Sequence, residues 1–317
     1  MIGVKYRPYL YKSQSFINNK KIHNPMKVAI FGRVFKEQDR DLIQKLFQIV
    51  NRLDIETLVH AGYLQQIRAN KISVPASIEA FESLEFSEPD LLMSIGGDGT
   101  LLQTLEFNKK GLIPVLGINT GRLGFLTSIN RNEVEAMFKA IEDKAYYLEK
   151  RTMLVIKSSG NLFGELNLAL NECTVLKSDS TSMITVHTYL DGEFLTSYWA
   201  DGLIIATPTG STGYSLSCGG PILIPSAKSL VLTPIAPHNL NLRPLVVADD
   251  KVISLRVEGR SAHFLCTMDS RYFPINFATE LTIHKAPVKL KMVRLKDYSF
   301  LATIREKLMW GADRRNQ

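Results

Sequence analysis

The feature that most restricts this chain is a change of rhythm near Tyr146. Before it, apolar strand patterns alternate with helical ones. A strand at 27–32 precedes Asp41–Phe47, whose apolar residues recur at helical spacing. Further strands are predicted at Leu91–Ile95 and Ile113–Ile118, and a helix over Glu133–Asp143 with Asn130 or Asn132 as its cap. Strands separated by helices imply a parallel sheet covered on both faces. After Tyr146 the pattern is strand upon strand: Met153–Ile156, Leu166–Leu176, Met183–Leu190, Glu193–Tyr198, Leu203–Thr207, Val252–Val257, His263–Met268 and Leu281–His284. Asp191-Gly192 between two of them is a two-residue hairpin signal. The second half is therefore expected to be all-β and antiparallel. A last helical pattern, Phe300–Met309, is expected to pack back on the first half.

With 317 residues, there is enough chain for two domains that each bury a core. We expect an α/β domain over 26–145, a β domain over 146–297 and a closing helix within 298–310. Residues 1–25 form a basic extension expected to lie outside the fold, carrying Lys5, Arg7, Lys12, Lys20 and Lys21 and no acid. It reads as a disordered arm, as an extension upstream of Met26, or as a targeting segment, though it has few arginines and no clear amphipathic helix. Those five residues account for most of the formal net charge of +7, so the rest of the chain is nearly balanced and gives no ground for a nucleic-acid partner. No apolar run approaches the roughly 18 residues that span a bilayer, and no secretory core is present. Cys173, Cys218 and Cys266 are far apart, with neither zinc spacing nor a disulfide framework, which suits a cytoplasmic protein.

Two segments carry chemistry. Gly96-Gly97-Asp98-Gly99-Thr100 lies between a strand and the apolar run Leu101–Leu105, a geometry that turns backbone N–H groups toward phosphate. No Gly-Lys-[Ser/Thr] follows, so it is not a Walker loop. Position 102 is Leu102, so the third glycine of the dinucleotide fingerprint is missing as well. Asp98 would be repelled by phosphates, so it needs a reason: holding magnesium, accepting the proton of an attacking hydroxyl, or capping the helix behind it. The second segment, Asp201 to Pro221, contains Thr207-Pro208-Thr209-Gly210-Ser211-Thr212-Gly213-Tyr214-Ser215-Leu216-Ser217. Its hydroxyls and free amides suit a ribose or phosphate, and Tyr214 suits a base, although a structural β-loop would have a similar composition.

Together with Gly117–Leu126, Asn171-Glu172, and Thr233–His238 followed by Leu242-Arg243-Pro244-Leu245, these segments resemble the NAD kinase family, in the family's order across roughly 27–295. The resemblance implies an α/β N-terminal domain with a Rossmann-like parallel sheet, followed by an all-β, sandwich-like C-terminal domain. It implies phosphoryl transfer from ATP to the 2′-hydroxyl of the adenosine ribose of NAD, with Asp98 as proton acceptor and Gly99 close to the dinucleotide. Asn171 and Glu172 would contact the adenosine; the bland alternative is an edge strand facing water. Asp201 would hold a ribose hydroxyl. Thr209, Thr212, Gly213, Tyr214, Ser215, Leu216 and Ser217 would surround the nucleotide, and Arg122 and Arg243 would make nucleotide or interface contacts. His238 reads as structural. No protein metal cage is expected, so Mg2+ would arrive with the triphosphate, and the family suggests a homo-oligomer, tetramer or dimer, joined through the β domain.

Three places depart from the family pattern: Gly213 for a frequent alanine, Asp269-Ser270-Arg271 for Asp-Gly-Gln, and Trp199-Ala200 for more polar residues. Rival readings are a lipid kinase of the diacylglycerol-kinase type, an NAD-dependent oxidoreductase, and a silent NAD sensor.

Overall fold

Val28, Ala29, Ile30 and Phe31 are all buried, as a strand requires when both its faces are covered. In the computed structural model, which describes residues 26–108, 110–178 and 182–311, these residues form β1 (Lys27–Gly32) in the interior of a parallel sheet. The basic extension at 1–25 lies outside the described residues. After β1 come α1 (Arg40–Arg52), β2 (Glu56–His60), α2 (Ala61–Ala69), β3 (Glu79–Phe81), β4 (Leu91–Ile95), α3 (Asp98–Gln103), β5 (Val115–Asn119), β6 (Ile129–Asn130) and α4 (Val134–Glu142). Successive residues of β1 enter opposite cores. Val28 and Ile30 pack with Leu42, Ile43, Leu46 and Phe47 of α1, whereas Ala29 and Phe31 join Leu101 and Leu105 behind α3.

The second half runs β7 (Tyr146–Ser158), β8 (Leu168–Ala169), β9 (Glu172–Lys177), β10 (Ile184–Leu190), β11 (Glu193–Ala200), β12 (Gly202–Ala206) and the single turn α5 (Tyr214–Ser217). It continues with β13 (Ser229–Ile235), β14 (Leu245–Ala248), β15 (Ile253–Glu258), β16 (Phe264–Met268), β17 (Arg271–Ile275), β18 (Leu281–Leu295) and α6 (Phe300–Leu308). A six-stranded antiparallel sheet in the order β14-β13-β12-β9-β16-β17 faces β7, β10, β15 and β18 across one core. That core interleaves Val175, Leu203, Ile205, Phe264 and Met268 with Leu154, Val186, Leu255 and Ile283. The second half is the expected sandwich. One of its sheets is also the sheet of the first half, in the order β11-β10-β15-β18-β5-β4-β1-β2-β3. The join is β18, antiparallel to β7 and parallel to β5 at Met292 and Val115.

Two segments differ from the sequence expectation. Leu166–Leu176 is not one strand; it breaks at Leu170-Asn171, whose amides are taken by the Asp269 carboxylate instead of a neighbouring strand. The strand begun at Leu281 does not stop at His284 but runs to Leu295. Its register shifts between Lys285 and Lys289, around Pro287, which has no N–H to give to a ladder. β2, α2, β3, β13, β14 and β17 formed where no element was expected. No helix among the described residues is long and apolar enough to cross a membrane.

Candidate active site

The glycine-rich turn leaves the carboxyl end of β4, beside that of β5, where open parallel sheets place their ligands. Gly97 is the cap of α3 and Asp98 its first residue, yet the Asp98 side chain makes no cap bond. It reaches across to the segment after β5. Oδ2 accepts from the Phe125 amide at 2.8 Å, and Oδ1 accepts from the amides of Leu126 at 3.1 Å and Thr127 at 3.0 Å and from the Thr127 hydroxyl at 2.9 Å. This docking requires a glycine at 124, because a Cβ there would collide with Asp98 Oδ1 and the Thr127 hydroxyl. The helix-capping reading of Asp98 is therefore excluded. Its carboxylate is immobilised while 27% of the side chain stays exposed. Oδ2 carries one short bond, and Lys307 Nζ lies 3.7 Å from it.

Asn171 and Glu172 do not lie on a water-facing edge. Glu172 opens β9 in the interior of the six-stranded sheet and is buried. Asp269, in the left-handed region at φ 51°, receives the amides of Leu170 and Asn171 at 2.8 Å and of Glu172 at 3.2 Å. From the other polarity, Arg271 donates to the carbonyl of Leu166 at 2.7 Å and to that of Leu168. Asp269, which keeps the family's aspartate, and Arg271, which departs from its glutamine, together clamp the Asn-Glu turn. Burial, then the charge of Asp269, pushes the Glu172 carboxyl up to about 8. Burial also raises Asp269, opposed by its three backbone donors and by Arg271. Glu172 Oε2 and Asn171 Oδ1 are buried and accept no hydrogen bond from the protein.

The hydroxyl-rich loop closes over this pair. A Cβ at Gly213 would stand 3.2 Å from Glu172 Oε2 and 3.5 Å from Asn171 Nδ2, and one at Gly210 would strike the Asn171 carbonyl. Many of the loop's hydroxyls are spent on the loop itself. Thr207 donates to the Leu170 carbonyl at 2.6 Å, Ser211 to Pro208 at 2.7 Å and Thr212 to Thr209 at 3.1 Å, while Ser215 pairs with Thr233 at 2.8 Å. Ser215 is buried, so its hydroxyl is turned inward. Tyr214 is 41% exposed, Ser217 is exposed and Leu216 half-buried beside it.

A buried charge cluster ties the two loops together. Glu149 and Arg151 of β7 and Arg294 of β18 share one face of the paired strands. Glu149 Oε2 accepts from Arg151 at 2.7 Å and from Arg294 at 2.9 Å. Arg294 then donates to the carbonyls of Leu126 at 2.8 Å and Phe125 at 3.2 Å, on residues whose amides hold Asp98. In the other direction, Arg151 donates to the Thr209 hydroxyl at 3.3 Å. Burial pushes the Glu149 carboxyl up, but the two guanidiniums outweigh it and hold it below the ordinary carboxylate range.

Other expected site residues stand further out. Asp201 is paired with Lys177 at 2.6 Å. Arg243 spends its guanidinium on the nearby carbonyls of Leu240 and Leu242, and Arg122 is exposed, its carbonyl taken by the Asn119 side chain. Gly99 is exposed with open space around it. The His238 ring lies tilted against Trp199 with centroids 4.2 Å apart, and its amide donates to the Trp199 carbonyl. Glu149, Arg151, Arg294 and Lys307 were not singled out from the sequence, where they are ordinary charges in strand and helix patterns. Among the described residues, no group of three or more His, Cys, Asp or Glu side chains could hold a metal ion.

Models of the ATP-NAD kinase N-terminal domain and the ATP-NAD kinase C-terminal domain match residues 24–146 and 170–295. The chain belongs to the NAD kinase family. It is 45% identical over 289 residues to an NAD kinase of Cytophaga hutchinsonii, covering 91% of this chain and 99% of that protein. With an NAD kinase of Flavobacterium psychrophilum it shares 45% over 295 residues, covering 92% and 100%. Among solved structures, an NAD kinase from Archaeoglobus fulgidus in complex with ATP superposes with a TM-score of 0.69 at 28% identity, covering 90% of this chain and 99% of that one. Yeast NADH kinase complexed with NADH gives 0.82 at 22% identity, covering 92% and 90%, a likeness of fold. Asp98 and the Asn171-Glu172 pair fall inside the two matched regions of this NAD kinase family member.

Proposed function

We propose that the chain transfers the γ-phosphoryl group of ATP to the 2′-hydroxyl of the adenosine ribose of NAD, releasing NADP and ADP. The observation that carries this reading is the Asp98 carboxylate, held by four hydrogen bonds at the sheet's carboxyl edge with part of its surface open. The 2′-oxygen would bond to the γ-phosphorus as the bond to the β,γ-bridging oxygen breaks. Asp98 would orient the hydroxyl and receive its proton as the new bond forms, since carboxylates titrate far below sugar hydroxyls. Positioning would supply most of the acceleration. Asn171 and Glu172, with unpartnered buried oxygens, are the groups we assign to the adenosine, and Tyr214, exposed above them, to a base. Asp201, Thr209 and the 212–217 loop complete the nucleotide walls in this reading.

The loop's single acid, Asp98, has Oδ1 filled by three donors, which fits Mg2+ brought in on the triphosphate better than a protein-held ion. Mg2+ would neutralise phosphate charge. The division into units at 26–145 and 146–297, a cytoplasmic setting suited to three free cysteines, and assembly into a homo-oligomer through the exposed Phe194, Tyr272 and Phe277 of the β half belong to the same proposal. The test is formation of NADP from NAD and ATP, with a lipid alcohol offered in parallel. Phosphate appearing on the lipid and not on NAD would overturn the assignment.

A further inference from the structure

The helix α6 lies beyond both matched family regions, the second of which ends at 295. Its inward side carries half-buried Phe300 and Ile304 and buried Thr303, and exposed Lys307 follows one turn on at i+7 from Phe300. Phe300 packs on Phe125 with ring centroids 6.1 Å apart, and Thr303 is buried. That last turn of the helix places an ammonium at the rim of the site. Lys307 Nζ sits 4.7 Å from the centre of the Phe125 ring and 3.7 Å from Asp98 Oδ2. Among the described residues it is the one cation within ion-pair distance of Asp98. Its side chain is 35% exposed, so the ammonium faces the open edge of the site and is not sealed in the core.

We propose that Lys307 is a catalytic residue, the cation that meets the transferring phosphoryl group. This rests on the assignment of Asp98 above. Phosphoryl transfer spreads negative charge over three equatorial oxygens, and neutralising that charge is the main work of such a site. A lysine is suited to it as a mobile point charge on a flexible stem. The ammonium lies 3.7 Å from Asp98 Oδ2; when the triphosphate binds, it turns to the γ-phosphate oxygens and leaves Asp98 Oδ2 free for the ribose hydroxyl. Lys307 neither gains nor loses a proton. The hydroxyl proton goes to Asp98, the 2′-oxygen bonds to phosphorus, and ADP departs with the bridging oxygen. The Phe125 ring keeps the ammonium in place between turnovers.

Steady-state kinetics of full-length Lys307→Met and Lys307→Arg test this, with Asp98→Asn as a control and binding of a non-hydrolysable ATP analogue measured separately. Lys307→Met should lower kcat/KM for ATP about ten- to a hundredfold, the range for a charge-assisted bond, weaken analogue binding and leave the KM for NAD unchanged. Lys307→Arg should recover much of the loss. Wild-type kinetics in Lys307→Met would overturn the proposal. So would a rise in the KM for NAD alone, or equal losses in both variants with normal analogue binding and a lowered Tm. If Asp98→Asn is inactive while Lys307→Met is normal, only the lysine assignment fails. A fully active Asp98→Asn would remove the underlying reading itself.

Discussion

Asp98 and Glu172 are the two carboxylates of the candidate site, yet the fold treats them in opposite ways. Asp98 is half-open and saturated on one oxygen by backbone donors, which fixes its direction. Glu172 is buried, has an oxygen with no partner and is pushed up to about 8. The backbone amides of Leu170, Asn171 and Glu172 itself all go to Asp269. In the proposed reading the first acid does the chemistry and the second, at some cost in stability, meets the ligand.

The largest effect should come from cutting the buried cluster behind the Asp98 cradle. Arg294→Met strands Glu149 with one guanidinium and frees the carbonyls of Phe125 and Leu126. A loss of about 3–5 kcal/mol is expected in denaturant unfolding. A loss below about 1 kcal/mol would mean that the cluster does not brace the Asp98 cradle.

Asp98→Asn should then lower kcat by at least about a hundredfold and leave NAD affinity largely intact. An amide nitrogen cannot accept from the Phe125 or Leu126 amides, so some loss of Tm should accompany it. Collapse of NAD binding with normal kcat would reverse the roles given to the two acids.

Glu172→Gln sharpens the contrast through pH. The folded carboxyl is raised from 4.5 to about 8, so between those values the native protein binds a proton that the unfolded chain has released. Stability from this group is therefore full below pH 4.5 and falls as pH rises toward 8. Subtracting the Tm–pH curve of Glu172→Gln from that of the wild type should isolate this downward slope. If ribose hydroxyls bind the ionised form, the KM for NAD should fall by up to about tenfold for each unit that pH rises toward the raised value, and the glutamine variant should be flat. A flat wild-type profile would show that Glu172 binds as the neutral acid.

The smallest effect concerns the helix that carries Lys307. The Ser299 hydroxyl accepts from the Ala302 amide at 3.3 Å, so Ser299→Ala should cost about 1 kcal/mol and raise hydrogen exchange in α6 first. Uniform loosening of the whole chain would contradict a local role.

Much of this contrast was legible in the sequence. Gly96–Thr100 after Leu91–Ile95 located the first acid, and Asn171-Glu172 between apolar residues located the second. Their environments were not legible, because they depend on residues far away in the chain. Asp98 is held by 125–127 and Glu172 is shaped by Asp269, contacts that no local periodicity encodes. Asp269-Ser270-Arg271 stood out only as an unusual triplet. Arg151 and Arg294 look like surface alternation until β7 and β18 pair and turn them inward. The length of β18 was hidden by Pro287, a residue that normally ends a strand and here only shifts its register. The hydroxyl-rich loop suggested more ligand contacts than it has free, since most of its hydroxyls serve as internal struts.

The long strand β18 has one more consequence. Because a single hydrogen-bonded ladder crosses from one half of the molecule to the other, the halves cannot swing about a flexible joint without tearing β18 away from β5 or β7. The segments at the rim, around 96–100, 120–127 and 207–220, and the tail helix lie outside that ladder, so they can shift without breaking it.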